Sequence, residues 1–62
     1  MKTAIGIGGR VLPVDVKRTD DGFSASYSAL IKGVLQSLVG TSDTYDGALQ
    51  ELRRRILAAE AV

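Results

Sequence analysis

Apolar and polar residues alternate along two stretches that flank an Asp-Gly turn. Residues 11–18 place apolar side chains on one face of a strand, and residues 23–29 do the same after the turn at residues 19–22. The apolar positions are Leu12, Val14, Val16, Phe23, Ala25, Tyr27 and Ala29. Because glycine readily adopts the left-handed conformation that a tight turn requires, this pattern predicts a β-hairpin.

A shorter alternating stretch precedes this hairpin. Residues 3–7 alternate, and Gly8 and Gly9 follow them with the conformational freedom of a tight turn. A phosphate-binding glycine loop would need a helix after it, but the next residues alternate as a strand and include Pro13. Pro13 has no N–H to donate, so we expect it at a sheet edge or a bulge. The stretch therefore predicts a further strand.

Residues 42–61 carry apolar side chains at steps of three and four, which predicts one long C-terminal helix. Asp43 or Thr44 supplies the N-cap, and Asp46 lies in the first turn, where the helix dipole favours an anion. The apolar stripe consists of Tyr45, Ala48, Leu49, Leu52, Ile56 and Ala59. We expect this stripe to pack on the apolar face of the hairpin.

Residues 30–39 fit two structures. As a helix they would present an apolar stripe, with Ser28 as the N-cap and Gly40 as the stop, although Gly33 inside it would cost about 1 kcal/mol. The stripe would consist of Leu30, Ile31, Val34, Leu35 and Leu38. As a strand, residues 34–39 alternate between two faces. Periodicity alone leaves both interpretations open and slightly favours the helix.

These elements predict an α+β fold, in which an antiparallel β-meander of three or four strands packs against one long C-terminal α-helix. The 62 residues form one domain, residues 1–62. A chain of this length buries only about 60% of its unfolded surface, and this one has no cysteine to form a disulfide. Because 45% of its residues are apolar, we expect a homodimer or a higher oligomer. Leu57 and Val62, which lie off the main stripe, are the candidate oligomer surface, together with the sheet edges.

The composition excludes several functions. Without histidine or cysteine the chain has no Ser-His or Cys-His catalysis and lacks the usual soft metal ligands, so we expect no enzyme activity and no cofactor. Eight basic and seven acidic residues give no electrostatic footprint for nucleic acid or an anionic membrane. No apolar run approaches the roughly 18 residues of a membrane span, and the N-terminus lacks a signal-peptide pattern. These features favour a cytoplasmic protein without a membrane partner.

Two carboxylates form the first candidate site. Asp15 on a strand and Glu51 on the helix would bridge a divalent ion, as in a nuclease, if the helix packed near Asp15. However, Asp15 lies opposite the face that the helix should cover, which favours two solvated carboxylates.

Basic residues form the second candidate site, for contact with RNA or an acidic partner. These residues are Arg53, Arg54, Arg55, Lys17 and Arg18. Three consecutive helical residues fan over roughly 200° of the helix, so they cannot all follow one phosphate track. The competing interpretation is a solvated helix surface with an ion pair between Glu51 and Arg55.

Two short motifs resemble the HicB antitoxin-like domain, a degraded ribonuclease H-like ββ-β-α module. The first is Asp20-Asp21-Gly22-Phe23 between two strands, and the second is the Asp-Thr-Tyr-Asp-Gly-Ala-Leu segment that opens the terminal helix at residue 43. In that family an acidic-Asp-Gly-aromatic turn joins the first strands, and Gly-Asp-Thr precedes a helix that begins with an aromatic or aliphatic residue, an acid and Ala-Leu. The resemblance covers residues 11–59.

The resemblance implies a structure and a role. It makes residues 33–39 the third strand, which favours the strand interpretation of the ambiguous segment. It also implies a non-catalytic protein that forms homodimers or higher oligomers and binds a small toxin that cleaves messenger RNA. The sequence thus predicts an antitoxin-like protein-binding module, with a small RNA-binding protein or a structural homodimer as alternatives.

Overall fold

The chain forms a four-stranded antiparallel sheet followed by one helix. A computed structural model describes residues 1–60. Its elements are strands β1 (Lys2–Ile7), β2 (Arg10–Thr19), β3 (Gly22–Ile31) and β4 (Val34–Ser42) and helix α1 (Tyr45–Glu60). The strands lie in the order β1-β2-β3-β4, so each pairs with its neighbour in the chain. The predicted α+β fold, a meander with one C-terminal helix, is confirmed.

The ambiguous segment at residues 30–39 is the end of one hairpin strand and the start of the next. Ile31 pairs with Val34 across a two-residue turn of Lys32 and Gly33. Both turn residues have positive φ, 54° and 80°, which is the geometry of a type I′ turn. The helical interpretation was therefore wrong, and the strand interpretation is confirmed with different bounds, because β4 continues to Ser42.

Beyond its centre the sheet separates into the β1–β2 hairpin and the β3–β4 hairpin. The pairing of β2 with β3 ends at Asp15 and Ser26, two residues before Pro13. Because proline has no N–H, Pro13 cannot donate the hydrogen bond that would continue the ladder between β2 and β3. The β3–β4 hairpin nevertheless continues for five more pairs, to Ile31 and Val34. We call residues 27–38 the hairpin arm.

The core lies between one face of the sheet and α1. Its buried residues are Ile5, Ile7, Leu12, Val14, Val16, Ala25, Ala48, Leu52 and Ile56. Partly buried Phe23, Tyr27, Leu38, Tyr45 and Leu49 pack against them. The predicted contact between the helix stripe and the hairpin is confirmed, and β1 adds two isoleucines to it.

Small residues let α1 approach the sheet closely. Gly40 on β4 pairs with Ala25 on β3, and the helix crosses at Ala48 and Leu52. A β-carbon on Gly40 would overlap the backbone nitrogen of Leu52 and would lie 2.8 Å from the carbonyl oxygen of Ala48. Ala25, Ala48 and Leu52 are all fully buried. The backbone of the helix therefore packs directly against β4 at residue 40, which is possible only because that residue is glycine.

The helix begins three residues later than the sequence predicts. Ser42 is the last residue of β4, and Thr44 is the N-cap, because its Oγ1 accepts a hydrogen bond from the N–H of Gly47 at 3.0 Å. Asp46 lies in the first turn, as expected from the helix dipole.

Candidate functional site

The side of the sheet that faces away from α1 is uncovered. Strand residues alternate between the two faces, so the neighbours of the core residues all point to this side. We call it the open face. It consists of Lys2, Ala4, Gly6, Val11, Pro13, Asp15, Lys17, Ser24, Ser26, Ser28, Leu30, Leu35, Ser37, Val39 and Thr41. Within residues 1–60, no element of the chain lies over it.

Two large aliphatic side chains lie side by side near the tip of the hairpin arm, on the open face. Leu30 and Leu35 are direct partners on β3 and β4, and they are 72% and 70% exposed. Val11 on β2 is 75% exposed on the same face, but β2 and β3 are not paired at that level. We call Leu30 and Leu35 the apolar row. A fourth aliphatic residue, Val39, is 45% exposed closer to the opposite end.

Hydroxyl groups cover the middle of the open face. Ser28 and Ser37 pair across β3 and β4, and their Oγ atoms lie 3.0 Å apart. Ser26 Oγ donates a hydrogen bond of 3.4 Å to the backbone oxygen of Asp15. These hydroxyls make the middle of the face polar and uncharged.

On the strands of the open face charge is confined to the end opposite the apolar row, while Lys32 lies in the turn two residues beyond Leu30. Lys2 pairs with Asp15 on β1 and β2, and Lys17 lies one position further along the same side of β2. The apolar row and the serine pair next to it carry no charged residue. Exposed contiguous aliphatic surface on a neutral sheet is typical of a contact site for another protein surface.

The predicted oligomer surface differs from this apolar row. Leu57 is on α1 and is 48% exposed, which fits a residue off the core stripe. Val62 lies outside the described residues. Sequence reasoning did not identify the apolar row because it left residues 30–39 open between a helix and a strand. The signal was present in the alternation of residues 34–39, which places Leu35 on the face opposite Val34.

The five predicted basic residues lie in two separate places. Arg53, Arg54 and Arg55 are exposed on α1, and Arg53 borders a cleft between the helix and β1. Lys17 and Arg18 lie near Tyr45, which is eight residues, or about 12 Å along the helix axis, from Arg53. The structure thus does not assemble them into one basic patch.

The ion pair on the helix also differs from the expected one. Glu51 Oε2 lies 3.6 Å from Arg54 Nη1, at a spacing of three residues, and Arg55 is not its partner. Glu60 forms a second ion pair with Arg10 of β2, with 2.5 Å between Oε1 and Nη2. This pair connects the last turn of α1 to the β1–β2 hairpin.

An aromatic pair accompanies Lys17 and Arg18, which the sequence did not predict. The rings of Phe23 and Tyr45 meet edge to face, with centroids 5.9 Å apart and planes at 83°. Arg18 is the direct partner of Phe23 and lies on the same side of the sheet as the rings, whereas Lys17 borders the same recess but lies on the open face. The sequence spacing hides this grouping because β2, β3 and α1 each contribute part of it.

The two carboxylates considered for a metal site lie on opposite sides of the sheet. Asp15 is on the open face, where its Oδ1 lies 3.7 Å from the amino group of Met1. Glu51 is on α1, which packs on the other face. In the part of the chain that the structure describes, no three acidic, histidine or cysteine side chains gather to hold a metal ion.

Comparisons with known proteins add no relative. No protein-family model, no curated protein and no solved structure matches the chain. Over residues 1–60, the one helix, α1, is too short and too polar to cross a membrane.

Proposed function

We propose that this chain is a non-catalytic protein-binding module, which acts as an oligomer in the cytoplasm in the manner of a HicB-type antitoxin. The observation that carries the proposal is the uncovered open face with its apolar row. Burying an aliphatic side chain of this size is worth about 1.5–3 kcal/mol, so two adjacent exposed leucines represent considerable unused binding free energy.

The geometry favours a protein partner over a small molecule. The apolar row lies on the flat side of an antiparallel sheet, whereas small-molecule sites are concave and enclose most of their ligand. The polar groups beside it are serine hydroxyls paired with one another. A flat surface with exposed aliphatic side chains at one end and polar groups around them combines the apolar and polar parts of a protein–protein interface.

The positions of the two HicB-like motifs support the same role. Asp20 and Asp21 lie in the turn between β2 and β3, and Thr44 caps α1. The aromatic residue of each motif, Phe23 and Tyr45, contacts the other. The motifs are thus parts of one structural unit, which holds the start of the helix against the first hairpin. The family resemblance would make the bound protein a small toxin that cleaves messenger RNA.

The test is to look for a neighbouring reading frame that encodes a small basic protein and to co-produce that protein with this chain. We expect the purified pair to elute as one complex and the chain to suppress RNA cleavage by that protein. Leu30→Lys should weaken suppression at least tenfold, because it places a charge in the apolar row, while Leu57→Lys on the helix should leave suppression unchanged. Cleavage that continues at full rate in the presence of excess chain would overturn the antitoxin-like role. Divalent-dependent RNA cleavage by the purified chain alone would overturn its non-catalytic character.

RNA binding is the second candidate, because Arg18 lies beside the Phe23–Tyr45 pair and Lys17 is the next residue on β2. Basic residues beside aromatic rings are the combination that binds single-stranded nucleic acid. In this case single-stranded RNA is retained at low salt, and retention falls steeply as salt rises. Lys17→Ala/Arg18→Ala should then abolish retention, whereas the matched pair Arg54→Ala/Arg55→Ala on α1 should reduce it less. Equal loss in both variants would point instead to nonspecific charge attraction.

A further inference from the structure

We propose that the outer edge of β1 binds an extended peptide segment of another protein, which adds a strand to the sheet in the groove between β1 and α1. The segment carries an acidic, an apolar and a basic side chain at alternate positions, in that order. This inference goes beyond the proposed function, because it uses an edge of the sheet and one side of α1 and not the apolar row on the open face.

The outer edge of β1 has the hydrogen-bonding pattern that accepts another strand. Met1 and Val16 exchange two backbone hydrogen bonds of 2.7 Å each. Bonded and non-bonded pairs alternate along an antiparallel ladder, so Ala4 and Gly6 direct their N–H and C=O groups away from β2. Within residues 1–60, no strand pairs with these groups. An extended backbone presents its own donors and acceptors at the same spacing, about 6.6 Å for every second residue.

One face of α1 forms the other side of the groove. Asp46, Leu49 and Arg53 follow one another at steps of three and four residues, and they line the groove opposite Ala4 and Gly6. The volume of the groove, about 280 Å³, is below the roughly 300–1,000 Å³ of small-molecule sites. A groove between a free strand edge and a helix fits an extended peptide better than a compact ligand.

The groove carries opposite charges at its two ends. Asp46 and Arg53 are seven residues apart, or about 10.5 Å along the helix axis, and Leu49 lies between them. In the described part of the chain, neither of these two charges forms an ion pair with another residue. A bound segment with one acidic and one basic side chain would therefore pair with both.

The direction of the added strand follows from the direction of α1. The helix begins beside the start of β1, because Met1 and Tyr45 line one recess. It ends beside the far end of β1, because Glu60 pairs with Arg10 just after the β1–β2 turn. Helix α1 and β1 therefore run in the same direction. Antiparallel pairing is the more stable kind and is the kind this sheet uses throughout, so the added strand runs opposite to both.

These directions determine the order of side chains in the segment. Read from its N-terminus, an acidic side chain meets Arg53, an apolar one contacts Leu49, and a basic one meets Asp46. Alternate side chains of a strand point to the same side, and the outer two are about 13 Å apart, close to the separation of the two groove charges. Strand β1 of a second copy does not match, since it has no charged residue on its helix-facing side.

Nuclear magnetic resonance titration with two peptides tests the inference. The matching peptide is acetyl-Thr-Glu-Thr-Leu-Thr-Lys-Thr-amide, and the control peptide exchanges its Glu and Lys. We expect the matching peptide to shift the amide signals of Ala4 and Gly6. It should bind roughly tenfold more tightly than the control, which replaces two attractive charge pairs with two repulsive ones. Equal affinity for the two peptides, or no binding of the matching peptide at millimolar concentration, would overturn the inference.

Exchanging the charges of the chain tests the role of the two ends of the groove. Asp46→Lys/Arg53→Glu should reverse the preference, so that this variant binds the control peptide more tightly than the matching one. Arg55→Glu changes an exposed arginine of α1 that does not line the groove, and it should keep the wild-type preference. If the double variant retains the wild-type preference while its circular dichroism shows the native fold, the proposed charge pairing is wrong.

Ala4→Pro tests the strand pairing. Proline is tolerated on an edge strand where the N–H faces outward, so the fold should persist while binding of the matching peptide falls about tenfold or more. A matching peptide that is N-methylated at the two threonines beside its leucine tests the same bonds without changing the chain, because these threonines lie opposite Ala4 and Gly6. Unchanged affinity of the N-methylated peptide would rule out strand addition.

The outcomes separate this inference from the proposed function. Leu30→Lys alters the apolar row and should leave peptide binding unchanged. A chain that binds the matching peptide but fails to suppress RNA cleavage by the neighbouring protein would support the inference while overturning the antitoxin-like role. A dimer that Ala4→Pro dissociates, in a chain that binds neither peptide, would show that a second copy occupies the edge and would overturn the inference.

Discussion

Gly40→Val should largely unfold the domain. A β-carbon at this position would overlap the backbone of Leu52, which cannot rotate away as a side-chain end can. The helix would have to lift from the sheet, and Ala48 and Leu52 would lose their burial. We expect a loss of about 3 kcal/mol or more, against the roughly 3–9 kcal/mol that a chain of this length has in total. Urea unfolding followed by circular dichroism measures the change.

Gly6→Ala is the matched control, because Gly6 is also a strand glycine. Its added β-carbon would lie 3.8 Å from the backbone oxygen of Arg10, an ordinary contact. Alanine also restricts the unfolded chain, so this variant should be as stable as wild type or slightly more so. If both variants unfolded at the same urea concentration as the wild type, the close approach of α1 to β4 would be wrong.

Leu52→Ala should cost about 3–4 kcal/mol. Leu52 is fully buried and packs where the helix meets Gly40, so truncation removes its transfer free energy and leaves a cavity. The backbone contact at Gly40 keeps the helix from closing that cavity without new overlap. Thermal and urea unfolding of the purified variant measure the loss, at a fixed protein concentration because association stabilises the folded chain.

Leu57→Ala provides the comparison within the same helix. It deletes the same atoms, but Leu57 is 48% exposed, so the loss should stay below about 1 kcal/mol. Equal losses at positions 52 and 57 would contradict the orientation of α1 on the sheet.

Local signals in the sequence predicted most of the fold. The Asp-Gly turn with alternation on both sides identified the β2–β3 hairpin, and the register confirms Val16 opposite Ala25. The spacing of Ala48, Leu52 and Ile56 identified the buried stripe of α1. These predictions succeeded because each depends on residues close in sequence, whose period alone distinguishes a strand from a helix.

The second hairpin was ambiguous because its turn is short and both its faces are apolar. Leu30 and Leu35 point to the open face, while Ile31 and Val34 point to the other. The four residues form two apolar pairs on either side of a two-residue turn. Counted from Leu30, the other three follow at 1, 4 and 5 residues, which is also the spacing of an apolar stripe on a helix. The turn sequence Lys32-Gly33 contains only one glycine, so it is a weaker signal than Asn-Gly or Asp-Gly.

The candidate site was less predictable than the fold. Which basic residues share a surface depends on the register of β2 and on how far α1 runs beyond its cap, and neither follows from composition. Arg18 meets Phe23 and Tyr45 only after three elements assemble. The apolar row likewise requires the register of β3 and β4.

The close contact at Gly40 also limits how this sequence can diverge. Ala25, Gly40 and Ala48 share one small volume, so a gain of a methyl group at one position must be offset at another. The helix cannot compensate by moving sideways, because its first turn is anchored by Tyr45 against Phe23. Distant relatives should therefore vary these three positions together. The residues of the open face should vary independently of them, according to the partner that each relative binds there.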